Sequence, residues 1–594
     1  MPSRRGAYAK KILKKYLREA GQHEIFKPLE SGARISTPAK IGIVGAGIAG
    51  LYTALMLDWL DDPDFTYDIL EANPDRVGGR LYTHHFDKKK KYEYYDVGAM
   101  RFPDLPWMKP TTDLMSFLHV PCITYIMEDE KKNNISFFNG KALSAQQIKT
   151  ATEDGLYDVF GTGLPLTKSN DDMFKSAFGP FKEKLCSKDP AVWKQGLEEL
   201  IQYDDWSTRE FMRCRPDIKE DISLERLTQQ VISYLETVGT STGNYDQAFV
   251  ESVLDSVDFD TDGTKWVCVD GGAELIAETA HRQLKQTVQL GKRVTAISPY
   301  IPEGQSQIEG VRLTINNNEH TDYDHVISTM SLGCLSIVDM SKCNLDWYTQ
   351  WPIRQLRYDS SVKIAIRFSK RWWETHSQPQ VGGVSCTDRP TRVVVYPSYG
   401  LHGSAATMIV SYTWSQDALR LGAGVNGTTL SKELLDVILK DLADMHDIKH
   451  TDGTRDYTFL PKLMIEHHAW DWYKDPFSMG AFALFGPAQF TQLYRQLTRP
   501  AFGKLHFAGE ATSVHHAWVV GALYSAFRCL VEVFQACGRQ DLIDRLRAPG
   551  SPFASAGAED SEVSDDLVGL QIAMGEDHGR KLAEIMLAQS STAD

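Results

Sequence analysis

IGIVGAGIAGL, Ile41 to Leu51, places Gly45, Gly47 and Gly50 in the order G-x-G-x-x-G behind a short β-branched run, ahead of an apolar stretch that continues to Leu60. This pattern predicts a strand, a tight turn and a helix. Gly45 permits the turn, Gly47 lets a pyrophosphate approach the backbone, and Gly50 allows the helix to pack close to the strand. Phosphate would rest on the helix N-terminus, with Ala46 in the turn and no side chain doing the binding. A second strand, Tyr67 to Leu70, ends on Glu71, 21 residues past Gly50. A carboxylate there takes ribose hydroxyls and argues against a 2′-phosphate. On the glycines alone, an ordinary strand-to-helix turn is an equal alternative; the strand context and Glu71 favour the dinucleotide. RVGGR, Arg76 to Arg80, then adds two bare backbone positions and two guanidinium donors beside the same phosphates. That cluster favours flavin over nicotinamide, its plain alternative being a solvated turn.

The remaining chain must surround that cradle. At 594 residues it is too long for one core and predicts two or three domains, with 42% hydrophobic and 24% charged residues. A formal net charge of −14 disfavours nucleic acid, which needs a basic surface. Nine cysteines form no C-x-x-C pair and leave one over, which suits a reducing compartment. No secretory signal and no run of about 18 apolar residues is read, so a cytoplasmic protein without a transmembrane segment is expected. Tyr8, Ile12, Leu13, Tyr16 and Leu17 recur at helical spacing among Lys10, Lys11, Lys14, Lys15 and Arg18. This basic amphipathic helix is expected to dock on the protein body, a mitochondrial presequence or membrane-surface helix being the alternatives.

Further along, DVGAMRFP (residues 96–103) sets Gly98 and Ala99 before Arg101, whose neighbours Met100, Phe102 and Pro103 are apolar. An arginine in such company needs a fixed anion, and an internal salt bridge and a bound ligand are equal alternatives. Helical patterns over Leu224 to Val238 and Gln247 to Val257 predict an inserted helical region of the kind that builds lids and access channels. Strands are predicted at Trp266–Val269, Arg293–Ile297, Tyr323–Ser328, Ser361–Phe368, Arg392–Tyr396 and Thr407–Trp414. Alternation puts Lys363 with Ala365 and Arg367 on one strand face, where a lone lysine ordinarily meets solvent. Near the end, KLHFAGEATSVHHAWVVGALYSAFRCL (residues 504–530) runs from a short strand into Gly509 and Glu510, then through Trp518 and Gly521 into an apolar helix.

The glycine turn, the acid, R-x-G-G-R, and the closing F-A-G-E-x-T-S with W-V-x-G-A resemble the flavin-dependent amine oxidase superfamily. Within it the chain looks most like the L-amino-acid oxidases of fungi and bacteria, from about Lys40 to Val533. The resemblance implies an α/β fold: a Rossmann-like FAD-binding domain, a mixed-sheet substrate-binding domain and an inserted helical subdomain. The FAD-binding domain would occupy residues 38–103, 261–345 and 491–545, and the substrate domain 104–160 and 346–490. The insertion would be 161–260, the basic helix and linker 1–37, and a flexible acidic tail with a possible helix 546–594. Carried over residue by residue, Arg101 and Tyr412 hold a substrate carboxylate, Lys363 reaches the flavin through a water, and Trp518 and Phe482 form opposite walls of a cage. Gly45, Ala46, Gly47, Gly50, Glu71, Arg80, Gly98, Met100, Arg101, Val294, Gly509, Glu510, Trp518, Val519 and Val520 would line the FAD.

Two departures matter. Ala517 stands where many relatives have glycine before the cage tryptophan, and Ala481 replaces the cysteine used for covalent attachment in monoamine oxidases, so the FAD is expected to be noncovalent. His467, His468, His515 and His516 form no H-E-x-x-H pattern, and no metal is expected. The resemblance implies oxidative deamination of L-amino acids to 2-oxo acids, ammonia and hydrogen peroxide, by hydride transfer from Cα to flavin N5 with dioxygen as acceptor, in a homodimer. An amino-acid 2-monooxygenase forming an amide, a primary amine or polyamine oxidase, and a silent flavin-fold scaffold are the alternatives.

Overall fold

The strand Ala39–Val44 lies inside a four-stranded parallel sheet ordered Phe65–Leu70, Ala39–Val44, His325–Ser328 and Leu505–Phe507. This computed structural model describes residues 4–21, 38–215, 227–259, 263–558, 563 and 565–590. Burial on both faces explains why Ile41, Ile43 and Val44 read as a nearly continuous apolar run rather than an alternating one. The sheet draws strands from three remote stretches of sequence, so the glycine turn after Val44 and the short loop after Phe507 open at the same end of adjacent parallel strands. A ligand lies in the crevice at that end in open α/β sheets.

Gly50 allows the close approach inferred for it: a Cβ there would stand 2.0 Å from the Gly45 carbonyl oxygen. The helix Val519–Ala536 packs on Ile48–Leu60 and forms the core beneath the crevice. It is an 18-residue apolar helix, which corrects the expectation that no such run exists, and 83% of it is buried inside the protein. Its hydrophobicity is that of a core helix.

A seven-stranded mixed sheet stands beside this unit, ordered Met464–Asp471, Ser361–Phe368, Thr407–Trp414, Val393–Val395, Val384–Thr387, Ile135–Phe138 and Lys141–Ser144. Val384–Thr387 pairs with Ile135–Phe138 in parallel, and the other pairs are antiparallel. Alternation along Ser361–Phe368 divides two cores: Val362, Ile364 and Ile366 pack under the helix Lys432–Met445, whereas Ala365 joins Tyr95, Val97, Met100 and Trp472 on the opposite face. Lys363 shares that second face.

The inserted region is helical, with Asn170–Leu185, Pro190–Leu200, Thr208–Cys214, Gln229–Gly239 and Phe249–Phe259. The helix read from Leu224 begins at Gln229, where the Thr228 side chain accepts from the Val231 N–H and caps it; residues 224–226 lie outside the described residues.

Both termini are built into the body. In the helix Arg4–Gly21, Tyr8 and Ile12 are buried, Lys14 and Lys15 are exposed, and Arg5 is buried between Glu251 (3.2 Å) and Asp258 (3.1 Å). This is the docked arrangement. The flexible tail is corrected over the described residues: Asp565–Ser590 forms a helix packed on Val519–Ala536, with Val568, Ile572 and Leu582 buried and Gln571 donating to Thr498 at 2.6 Å. Phe553, upstream of it, packs edge-on against Tyr52, Trp59 and Phe117. The acidic residues Glu559, Asp560 and Glu562 lie outside the described residues.

Candidate active site

The crevice deepens into a cavity of about 810 Å³ that extends from the glycine turn, past the mixed sheet, to the inserted helices. At its first end, Gly78 donates to the Ala46 carbonyl at 2.8 Å, and Gly47 and Gly78 form a bridge, so the two glycine clusters are neighbours. Gly78 and Gly79 take φ of 99° and 56°, the left-handed region that glycine tolerates. A Cβ on Gly47 would meet nothing within 4 Å, which leaves the backbone open to the cavity. Arg76 donates to the Gly79 carbonyl at 2.7 Å and braces the loop.

Glu71 lines this end and accepts from the N–H groups of Ala46 (2.7 Å) and Asn73 (2.8 Å). Burial pushes its carboxyl up against the pull of those bonds. It therefore shapes the glycine turn as well as facing the position a ribose would take.

Farther in, Arg80 donates to the Ala481 carbonyl (3.0 Å) and to Glu510 (3.2 Å), while the Ala483 N–H donates to the other Glu510 oxygen. Glu510 thus ties the closing segment to both the RVGGR loop and the strand carrying Phe482. Gly45, Gly47, Glu71, Arg80, Gly98, Met100, Arg101, Val294, Gly509, Glu510, Trp518, Val519, Lys363, Tyr412 and Phe482 all line the one cavity. Ala46, Gly50 and Val520 do not: each is buried behind the wall, Ala46 contributing its N–H to Glu71 and Gly50 its lack of a side chain.

Lys363 is 1% exposed, which overturns the solvent-facing alternative. It stands directly across the sheet from Tyr412 on one side and Trp470 on the other. Its ammonium donates to the carbonyls of Asp96 (3.0 Å) and Gly98 (2.7 Å) and sits 4.5 Å from the Tyr412 ring centre. Burial lowers its pKa to about 7, opposed by Asp96, whose own carboxyl burial lifts to about 6. The lysine pins the backbone turn that presents Met100 and Arg101.

Arg101 decides between its two alternatives. No carboxylate among the described residues lies within ion-pairing distance of it. Its guanidinium lies 5.2 Å from the Phe259 ring centre and 5.9 Å from that of Trp266. Tyr412 shares the cavity, and burial holds its phenol in the protonated, donating form. A cation on a cavity wall, without an ion pair among the described residues and shielded by rings, has the chemistry to take an anionic ligand.

Trp518 lies 5.5 Å from the Phe259 ring and 6.0 Å from Trp266. Ala517 before it has φ 62°, so an alanine occupies the left-handed conformation that the glycine of relatives would enter without cost. The paired histidines point apart: His516 bonds Glu251 at 2.6 Å and His468 meets Tyr95 at 2.7 Å. Among the described residues no group of His, Cys, Asp and Glu could hold a metal.

Phe259, Trp414 and Asp255 also line the cavity and were not foreseen. No motif marks them: Phe259 and Asp255 belong to the inserted helix Phe249–Phe259, and Trp414 looks like an ordinary strand aromatic.

The open face at Gly47, the helix N-terminus carrying Val519, the acid at the ribose position and an extended cavity that reaches the aromatic walls of Trp518 and Phe482 fit an FAD laid from glycine turn to mixed sheet. The model of flavin-containing amine oxidoreductases matches residues 48–533. L-amino-acid oxidase 4 of Hebeloma cylindrosporum is 36% identical over 88% of this chain and 85% of its own. A putative bifunctional amine oxidase of Dictyostelium discoideum is 35% identical over 92% of this chain, which spans about half the length of that relative. Among solved structures, cyclohexylamine oxidase from Brevibacterium oxydans superposes with a TM-score of 0.59 at 15% identity, over 86% of this chain and all of that one, a likeness of fold. The chain belongs to the flavin-containing amine oxidoreductases, FAD-dependent enzymes whose cofactor the cavity between its two sheets is shaped to hold.

Proposed function

We propose that the protein oxidatively deaminates L-amino acids, consuming dioxygen and water and releasing a 2-oxo acid, ammonia and hydrogen peroxide. The unpaired guanidinium of Arg101 beside the Tyr412 phenol carries this reading, because a simple amine offers nothing for that pair to bind. Relatives that bear the name L-amino-acid oxidase support it, Hebeloma and Siganus canaliculatus among them.

FAD, when bound, supplies the two-electron acceptor for the Cα–H bond and passes the electrons to dioxygen. The chain's residues orient the substrate. Arg101 takes the carboxylate through a two-toothed guanidinium contact and Tyr412 adds one directional hydrogen bond, so Cα is held in one place. Trp518 and Phe482 wall the reacting position and exclude water from it. Lys363, near neutrality in pKa, keeps a proton-holding amine beside that position while fixing the Gly98 turn. Water completes the chemistry by converting the released imino acid to the oxo acid.

The test is product analysis with the full-length holoenzyme: equal yields of oxo acid, ammonia and peroxide from L-amino acids, with D-amino acids and simple amines inert. Amide with carbon dioxide instead would assign a monooxygenase, and turnover of amines alone would remove the role given to Arg101.

A further inference from the structure

We propose that Asp255 makes the cavity selective for L-amino acids whose side chains end in a cation, the lysine and arginine class. This rests on the amino-acid oxidase reading above and names its substrate class.

The inserted helices furnish the part of the cavity wall beyond Arg101. Among the described residues they contribute neutral polar and aromatic side chains, Asn244, Gln247, Ser252 and Phe178 among them, and a single charged one, Asp255. Although it lies within the protein mass, 40% of the Asp255 side chain is accessible, because that surface faces the cavity. No hydrogen-bond donor among the described residues reaches its carboxylate.

Its nearest cation is already committed. Arg5, from the N-terminal helix, lies 3.2 Å from Glu251 and 3.1 Å from Asp258 but 3.8 Å from Asp255, and one guanidinium faces three carboxylates. His516 bonds Glu251 alone of the three. Burial, with Asp258 and Glu251 alongside, lifts the Asp255 carboxyl to about 7 against the pull of Arg5 and, more weakly, of Arg101. With a substrate carboxylate on Arg101, Arg5 is the one cation among the described residues within ion-pairing distance of Asp255, on the side that opens into the cavity.

The spacing suits a basic amino acid. Asp255 and Phe259 are four residues apart on one helix and therefore share a face. The Phe259 ring meets Arg101, so Asp255 stands about one turn beyond the carboxylate anchor, a step of about 6 Å along the helix. An extended lysine side chain covers about 6 Å from Cα to its ammonium, four C–C bonds and a C–N bond on a zigzag. With its α-carboxylate on Arg101, such a substrate carries its distal cation to the Asp255 carboxylate, whose one ion pair among the described residues is the long contact to Arg5.

Lysine and norleucine have side chains of nearly equal length and differ in the terminal charge, so their kcat/KM ratio in the full-length holoenzyme reads Asp255 directly. The wild-type ratio should favour lysine by more than tenfold. Asp255→Asn should lower the ratio on the order of a hundredfold, and Asp255→Glu should keep lysine preferred. A wild-type enzyme that oxidises norleucine as well as lysine, or an Asp255→Asn variant with an unchanged ratio, overturns the assignment and leaves amino-acid oxidation standing. Should Asp255→Asn fail to fold, the wild-type and Asp255→Glu ratios decide. Oxidation of pentylamine with no turnover of either amino acid overturns both this inference and the reading beneath it.

Discussion

Replacing Arg101 with leucine separates amino-acid oxidation from plain amine oxidation. The substitution keeps apolar volume against Phe259 and Trp266 and removes from the cavity wall a cation that has no ion pair among the described residues. No carboxylate among the described residues lies within ion-pairing distance of Arg101, and Asp255 feels its charge only at longer range, so the effect falls chiefly on the ligand. A substrate carboxylate would then be buried among aromatic rings with only the Tyr412 phenol to satisfy it. Stranding one member of a buried, hydrogen-bonded charge pair costs about 3–5 kcal/mol, and each 1.36 kcal/mol is tenfold, so kcat/KM should fall roughly 10²–10⁴-fold. Arg101→Lys should recover only part of this, since an ammonium lacks the planar fork. The assay is peroxide release over a series of amino acids, each paired with the amine that lacks its carboxylate. Bound flavin, read by its absorbance, controls for folding. The amino-acid rates should collapse toward those of the amines, while the amine rates stay where they are. A loss below tenfold with flavin fully bound, or an equal loss for both substrate types, would refute the clamp.

Three further perturbations probe the frame around the clamp. Lys363→Met should slow turnover and also change the pH dependence of stability: a lysine lowered to about 7 in the fold binds fewer protons than in the unfolded chain between pH 7 and about 10. Wild-type stability should therefore rise with pH across that window from this group, and denaturant titrations of the variant should lack that rise; identical pH dependences would rule out a buried, neutral-leaning amine. Gly50→Ala should abolish FAD retention, because its Cβ would press on the Gly45 carbonyl at 2.0 Å and displace the turn; normal flavin content after gel filtration would contradict that packing. Arg5→Met removes the cation that Asp258 shares with Glu251 in the core and leaves Glu251 to His516, at a cost of about 3–5 kcal/mol. Protease cleavage within the first 21 residues should speed up, and an unaltered digestion pattern would argue that the docked helix does not depend on this arginine.

What the sequence shows and what it hides divide along the kind of constraint each residue answers to. The glycine turn is legible because backbone sterics admit only glycine there, so chemistry and residue type coincide: Gly50 at 2.0 Å from a carbonyl leaves no alternative. Arg101 is half legible. Its apolar neighbours announce a guanidinium in need of an anion, but whether the anion belongs to the chain or to a ligand depends on which carboxylates fold toward it, and that is settled only when distant segments meet. Lys363 is less legible still, since strand alternation places it on a face without saying that the face looks onto Gly98 and Tyr412 rather than water. Ala46 and Val520 show the converse error: they belong to the motifs, yet the wall is made by their neighbours. Asp255 lies at the far end of this scale. A carboxylate on an amphipathic helix is ordinarily a solvated charge, and nothing local distinguishes this one. It becomes informative only through Arg5, some 250 residues earlier, whose guanidinium is spent on Glu251 and Asp258. The cofactor end of the cavity is thus written in backbone geometry, which sequence motifs record, whereas substrate choice is written in the charge balance between segments, which they do not.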